Sequence, residues 1–155
     1  MERGRRLAID VGAVRVGLAM CDPDAIISTP LPALRRVDAE TESFAEIKAI
    51  VVENDVIEVF VGDPVSLSGS ETASTKDARD FATQLARVID ASVRLVDERL
   101  TTVTAAAKLR LNGKDSKQSK SLIDSASAVE ILEQALSILK QSGVSPGTAV
   151  GGQDA

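Results

Sequence analysis

Four acidic residues stand inside or at the ends of apolar stretches: Asp10, the adjacent pair Asp97 and Glu98, and Asp124. Carboxylates are seldom buried unless paired, hydrogen-bonded or bound to a metal. If the fold brings these positions together, they make an oxygen-only cage suited to a hard divalent cation. The chain has no histidine and a single cysteine, Cys21. That composition excludes an internal disulfide and a CxxC metal site. Two such carboxylates can bridge a pair of Mg²⁺ or Mn²⁺ ions about 4 Å apart, an arrangement that hydrolyses phosphodiesters without a histidine base.

The acids need elements to position them. Leu7, Ile9 and Val11 alternate along residues 5–11 and predict a strand. Asp10 is unfavourable there by propensity, so a ligand or a cap on the turn at Gly12 should compensate it. Gly12 to Val14 reads as a tight turn, and 15–20 as the hairpin partner. Residues 25–34 read as a third strand, with Pro30 and Pro32 marking a sheet edge. Asp97 and Glu98 follow the apolar run Val93–Val96, and ligand sites in α/β sheets gather beyond strand carboxyl ends. Neighbours in a strand face opposite sides, so one of the two is expected to face Asp10. Asp124 opens a helix predicted over 122–140. Its helical neighbours Ala128, Ile131, Ala135 and Ile138 are all apolar, which turns it toward the core from the first turn. The helix dipole favours an acid there.

Between these lie a helix over 41–53 carrying Phe44, Ile47, Ile50 and Val51, and a strand over 56–62. A polar loop over 66–75 leads to a helix over 76–89 carrying Phe81, Leu85 and Val88. Thr101 or Thr102 would cap a further helix to Leu111, closed by Asn112 and Gly113, with a basic loop over 114–120. The order predicts an α/β fold: a mixed five-stranded sheet, three antiparallel strands then two parallel ones, with helices on both faces. Residues 1–141 are expected to form one domain, and 142–155 a disordered tail.

Aromatic residues are 2% of the chain, with no Trp or Tyr. The core must therefore be aliphatic, and recognition of single-stranded bases by stacking is disfavoured. Net charge is −5, but unevenly spread. Residues 38–58 hold seven acids and one base, and residues 99–123 hold six bases and one acid. A local basic surface binds phosphates whatever the net charge. No apolar run approaches the roughly 20 residues of a membrane span. The start, MERGRRLAID, lacks the apolar stretch of a signal peptide, so a cytoplasmic protein is expected.

Four segments resemble the YqgF/RuvX family, whose fold is ribonuclease H-like: LAIDVGAVRVGLAMCD (7–22), VFVGDPVSLSG (59–69), VRLVDERLTT (93–102) and KSLIDSASAVEIL (120–132). VDERLTT is the most specific. The resemblance implies a metal-dependent nuclease that matures the 5′ end of pre-16S rRNA, or a Holliday junction resolvase-like endonuclease acting on branched DNA. It implies Asp10, Glu98 and Asp124 as ligands of Mg²⁺ or Mn²⁺, with Asp97 beside them in the catalytic set. Arg15 and Arg99 match arginines of the family and would serve phosphate or structural support, while Lys117 and Lys120 would contact the nucleic-acid backbone. The chain departs from the family pattern at Asp63, where an apolar residue is expected, at Ala13-Val14, where a Thr-Lys type pair is usual, and at Ser127 in place of Ala.

Two rivals stay open on sequence. Ile9-Asp10-Val11-Gly12 also resembles the phosphate hairpin of actin- and hexokinase-type ATP-binding proteins, but that architecture closes two large domains. A non-catalytic nucleic-acid-binding or ribosome-assembly factor is the other. Structured RNA and branched DNA are not separated, nor a monomer from a homodimer.

Overall fold

The structure is a computed structural model and describes residues 2–36, 41–65, 68–98 and 125–150. Its elements are β1 (Arg5–Val11), β2 (Arg15–Cys21), β3 (Ser28–Arg35), α1 (Thr41–Glu53), β4 (Val56–Asp63), α2 (Ala73–Val88), β5 (Ser92–Asp97), α3 (Ala126–Ser142) and β6 (Thr148–Ala149). The strands form one sheet in the order β3-β2-β1-β4-β5-β6. β1, β2 and β3 are joined antiparallel, while β1, β4 and β5 run parallel. The mixed sheet is as expected, with six strands rather than five.

Alternation along the strands divides the core into two layers. Leu7, Ile9, Val16, Leu18, Val59 and Val61 meet Phe44 and Ile47 of α1 and Phe81 and Leu85 of α2. Ala8, Ala19, Phe60 and Val96 meet Ala128, Ile131, Leu132 and Ala135 of α3. Strands covered on both faces need apolar residues on both, which explains the nearly unbroken run Val59–Val61. The two aromatic rings of the first layer, Phe44 and Phe81, pack 4.8 Å apart.

Three boundaries differ from the sequence reading, each for a local reason. The third strand begins at Ser28 because Asp22 organises the residues before it. Its carboxylate accepts hydrogen bonds from the amides of Ile26 (2.7 Å), Ile27 (2.8 Å) and Asp24 (3.2 Å). Those bonds, the Ile27 amide foremost, hold its carboxyl below the usual range. The second helix begins at Ala73 because Thr72 and Thr75 form a reciprocal cap. Val88, assigned to the core by spacing, is 40% exposed at the end of that helix. The sixth strand lies in the segment expected as a disordered tail. Thr148 and Ala149 pair with Leu95 and Arg94. The guanidinium of Arg94 donates to the carbonyls of Pro146 and Gly147, each at 2.7 Å.

Candidate active site

The carboxyl ends of β1, β4 and β5 lie side by side and carry the acids. Ile9 is level with Val61, and Gly62 with Val96. The pleat then puts Asp10, Gly62 and Glu98 on the face covered by α3. The side chains of Asp10 and Glu98 are hydrogen-bonded to each other. Burial first, then the Asp10 carboxyl beside it, push the Glu98 carboxyl up to about 8. Gly62 makes this contact possible. A Cβ there would lie 2.7 Å from Cγ and Oε1 of Glu98 and 2.7 Å from Cδ1 of Ile131. The site therefore has two oxygen donors held together in a place where charge is poorly solvated. A divalent cation would suit such a pair, because it would supply the missing positive charge.

Asp97 occupies the opposite face. It is the ladder partner of Asp63, on the side of α1 and α2. Asp63 is held by Arg79 of α2 through two bonds of 2.9 Å, and Arg79 also meets Glu71 at 3.0 Å. These carboxylates raise the already high affinity of Arg79 for its proton. The unexpected acid at position 63 is thus engaged in an ion pair behind the sheet. Sequence reasoning missed Arg79 because the pair joins different elements.

A second arginine that sequence reasoning missed supports the turn after Asp10. Arg36 donates to the Gly12 carbonyl (2.9 Å), and its amide donates to the Val14 carbonyl (2.8 Å). Its guanidinium also grips Asp77 of α2 at 2.6 and 3.0 Å and lies 5.7 Å over the Phe81 ring. The bond to Arg36 depresses the Asp77 carboxyl. The only signal available in sequence is the pair Arg35-Arg36 ending a strand. Arg15 is exposed at the start of β2, at the same end of the sheet as Asp10.

Asp124, Arg99, Lys117 and Lys120 lie outside the described residues. Among the described residues no three of His, Cys, Asp and Glu are grouped so as to hold a metal ion. Of the apolar face assigned to the last helix, Ala128, Ile131 and Ala135 are fully buried and Ile138 is half-buried.

The RuvX family, described as Holliday junction resolvase, matches residues 4–138. A Streptomyces avermitilis protein named "Putative pre-16S rRNA nuclease" is 48% identical over 97% of this chain and 96% of its own length. Proteins of the same name from Clavibacter michiganensis subsp. michiganensis (45%; 97% and 93% covered) and Mycobacterium leprae (49%; 85% and 72% covered) are similar. Among solved structures, Thermus thermophilus RuvC in complex with Holliday junction substrate superposes with a TM-score of 0.62. The match covers 95% of this chain and 99% of that one at 12% identity, a likeness of fold. With the order of its segments, its ribonuclease H-like sheet and relatives near half identity over nearly its whole length, this chain belongs to the RuvX family.

Proposed function

We propose that this protein is a Mg²⁺- or Mn²⁺-dependent endonuclease of the cytoplasm, and that its substrate is the 5′ end of pre-16S rRNA. The observation that carries the reading is the Asp10–Glu98 carboxyl pair on the α3 face. Asp10, Glu98 and Asp124 are the proposed cation ligands. Asp97, behind the sheet with Asp63, adds negative charge without joining them. The bound cation would supply a water nucleophile at neutral pH and stabilise charge on the scissile phosphate. The chain's own part is geometric and electrostatic. Burial and mutual repulsion make the carboxyl pair a strong binder of positive charge, and Gly62 fixes where Glu98 sits. Arg36 steadies the turn after Asp10 from behind. Arg15, Arg99, Lys117 and Lys120 are the proposed phosphate contacts. The nuclease domain includes β6, which joins the sheet beyond residue 141. Among the described residues no helix is long and apolar enough to cross a membrane.

The test sets a precursor 16S rRNA fragment beside a four-way DNA junction, with Mg²⁺, Mn²⁺ or chelator, for wild type and Asp10→Asn. The expected result is metal-dependent cleavage of the RNA that falls by about 10³ or more in the variant. Cleavage equal in both proteins rejects the carboxylate site. Symmetric cutting of the junction alone, by a homodimer, favours the resolvase reading that the family description carries.

A further inference from the structure

Arg15 and Arg35 are ladder partners across β2 and β3, and both are exposed. Like charges directly opposite each other on a sheet are unfavourable, so the pairing calls for a compensating role. The pleat decides which way the two residues face. Val16 and Leu18 lie in the core layer under α1 and α2, while Ala19 and Cys21 lie in the layer under α3. Arg15 is in step with Ala19 and Cys21, which puts it on the α3 face. Leu34 packs with the first layer, so Arg35 belongs to the α3 face as well. That is the face of Asp10 and Glu98. Gly17, the ladder partner of Asp10, is two residues from Arg15, roughly 7 Å along the strand. The backbone of Arg35 is fixed on both sides. Leu34 is packed before it, and Arg36 after it is bound to the Gly12 carbonyl and to Asp77. The Arg35 side chain itself makes no hydrogen bond or ion pair among the described residues. The turn Gly12-Ala13-Val14 beside it carries no charge of its own.

We propose that Arg35 joins Arg15 in gripping one backbone phosphate of the substrate, next along the strand from the phosphate addressed by Asp10 and Glu98. The proposal rests on the reading of the substrate as a nucleic acid. Arginine presents a planar fork of donors that matches phosphate oxygens. A phosphate between the two guanidiniums would offset the repulsion that the strand register imposes on them. The two acids call for a cation at the phosphate to be cut, whereas its neighbour needs positive charge from the protein. The uncharged turn supplies none, and the arginine pair does. Such a contact places the strand without reading its sequence.

The experiment measures binding by fluorescence anisotropy, in chelator so that nothing is cut, at several salt concentrations. The probes are a labelled precursor 16S rRNA fragment and, in parallel, a labelled four-way DNA junction. The proteins are full-length wild type, Arg15→Ala, Arg35→Ala, Arg35→Lys and the double alanine variant, each with a melting curve. On whichever probe wild type binds, Arg35→Ala is expected to raise the dissociation constant by about tenfold. It should also lower the salt slope by about 1. Arg35→Lys keeps the charge without the fork, so it should keep the slope and lose less affinity. The double variant should lose less than the product of the single fold-changes, because either replacement already spoils the grip on the same phosphate. The melting temperature of Arg35→Ala should not fall, since the change relieves a like-charge pair. An unaltered dissociation constant and salt slope in Arg35→Ala overturns the proposal, as does a lower melting temperature with an unaltered slope. Losses that multiply fully in the double variant show two separate contacts and overturn the shared grip. Wild type that binds neither probe overturns the nucleic-acid reading and this proposal with it. Binding in chelator does not involve the cation, so failure of the metal reading alone leaves each of these outcomes decisive.

Discussion

The face covered by α3 carries charge at both ends of the sheet, and the two ends are built oppositely. At the amino end Arg6 and Glu58 are ladder partners, joined at 3.1 Å with side chains 3% and 11% exposed. The remaining donors of Arg6 reach the carbonyls of Glu2 (2.9 Å) and Gly4 (3.4 Å). Charge there is balanced inside the protein. At the carboxyl end the facing groups are Asp10 and Glu98, two acids in hydrogen-bond contact, with the Glu98 carboxyl pushed up to about 8. Like charges at a semi-buried site disfavour folding unless something else binds them. The first end is a structural ion pair. The second is a deficit of positive charge, which is what the proposed cation site requires.

Breaking the balanced end should cost stability most. Glu58→Gln leaves the Arg6 guanidinium buried without its counter-charge. A loss of about 3–5 kcal/mol in denaturant unfolding is expected, with the activity of the remaining folded protein unchanged. An equal loss of activity per folded molecule would show that the two ends are not independent. Gly62→Ala attacks the other end. The new Cβ must displace Glu98 or Ile131, so cleavage should fall about 100-fold, or about 2.7 kcal/mol, while most of the stability is kept. The smallest effect is on pH dependence. Because Glu98 binds its proton more tightly folded than unfolded, its stabilising contribution is complete below its ordinary value and is lost as pH rises toward about 8. The melting temperature of metal-free protein should therefore decline across that window more steeply in wild type than in Glu98→Gln. Mn²⁺ should oppose the decline, releasing a proton as it binds below that pH. Parallel curves for the two proteins would remove Glu98 from the effect.

Much of this site was legible before folding, and the reason is specific. Asp10 stands out because an acid interrupts an apolar strand, and its surroundings could be inferred from Leu7, Ile9 and Val11 alone. The alternation rule separates Asp97 from Glu98. It does not say which face each takes, since that depends on whether α2 or α3 covers it. The pairing of Asp63 with Arg79 spans sixteen positions and two elements, and no periodicity reports it. Ser125 was equally hidden. Small polar residues carry little hydropathy signal, and the bonds of its hydroxyl to the Leu18 amide and the Leu31 carbonyl appear only when β2 and β3 are aligned beneath α3. The edge assigned to the third strand from Pro30 and Pro32 is observed, because a proline without an amide proton is tolerated where no further strand pairs.

The two-residue strand β6 bears on how chains of this protein keep apart. Without it, β5 would offer a row of unpaired amides and carbonyls, a template for pairing with another molecule. The Val150 amide donates to the Val93 carbonyl at 2.9 Å and extends the cover. Gly147 turns the chain back with φ +80, where any side chain would strike the Leu95 carbonyl. One border of the sheet is thus blunted by prolines and the other by a short strap, and both oppose edge-to-edge aggregation. The strand that leads to Glu98 has its outer edge covered by residues remote from it in sequence.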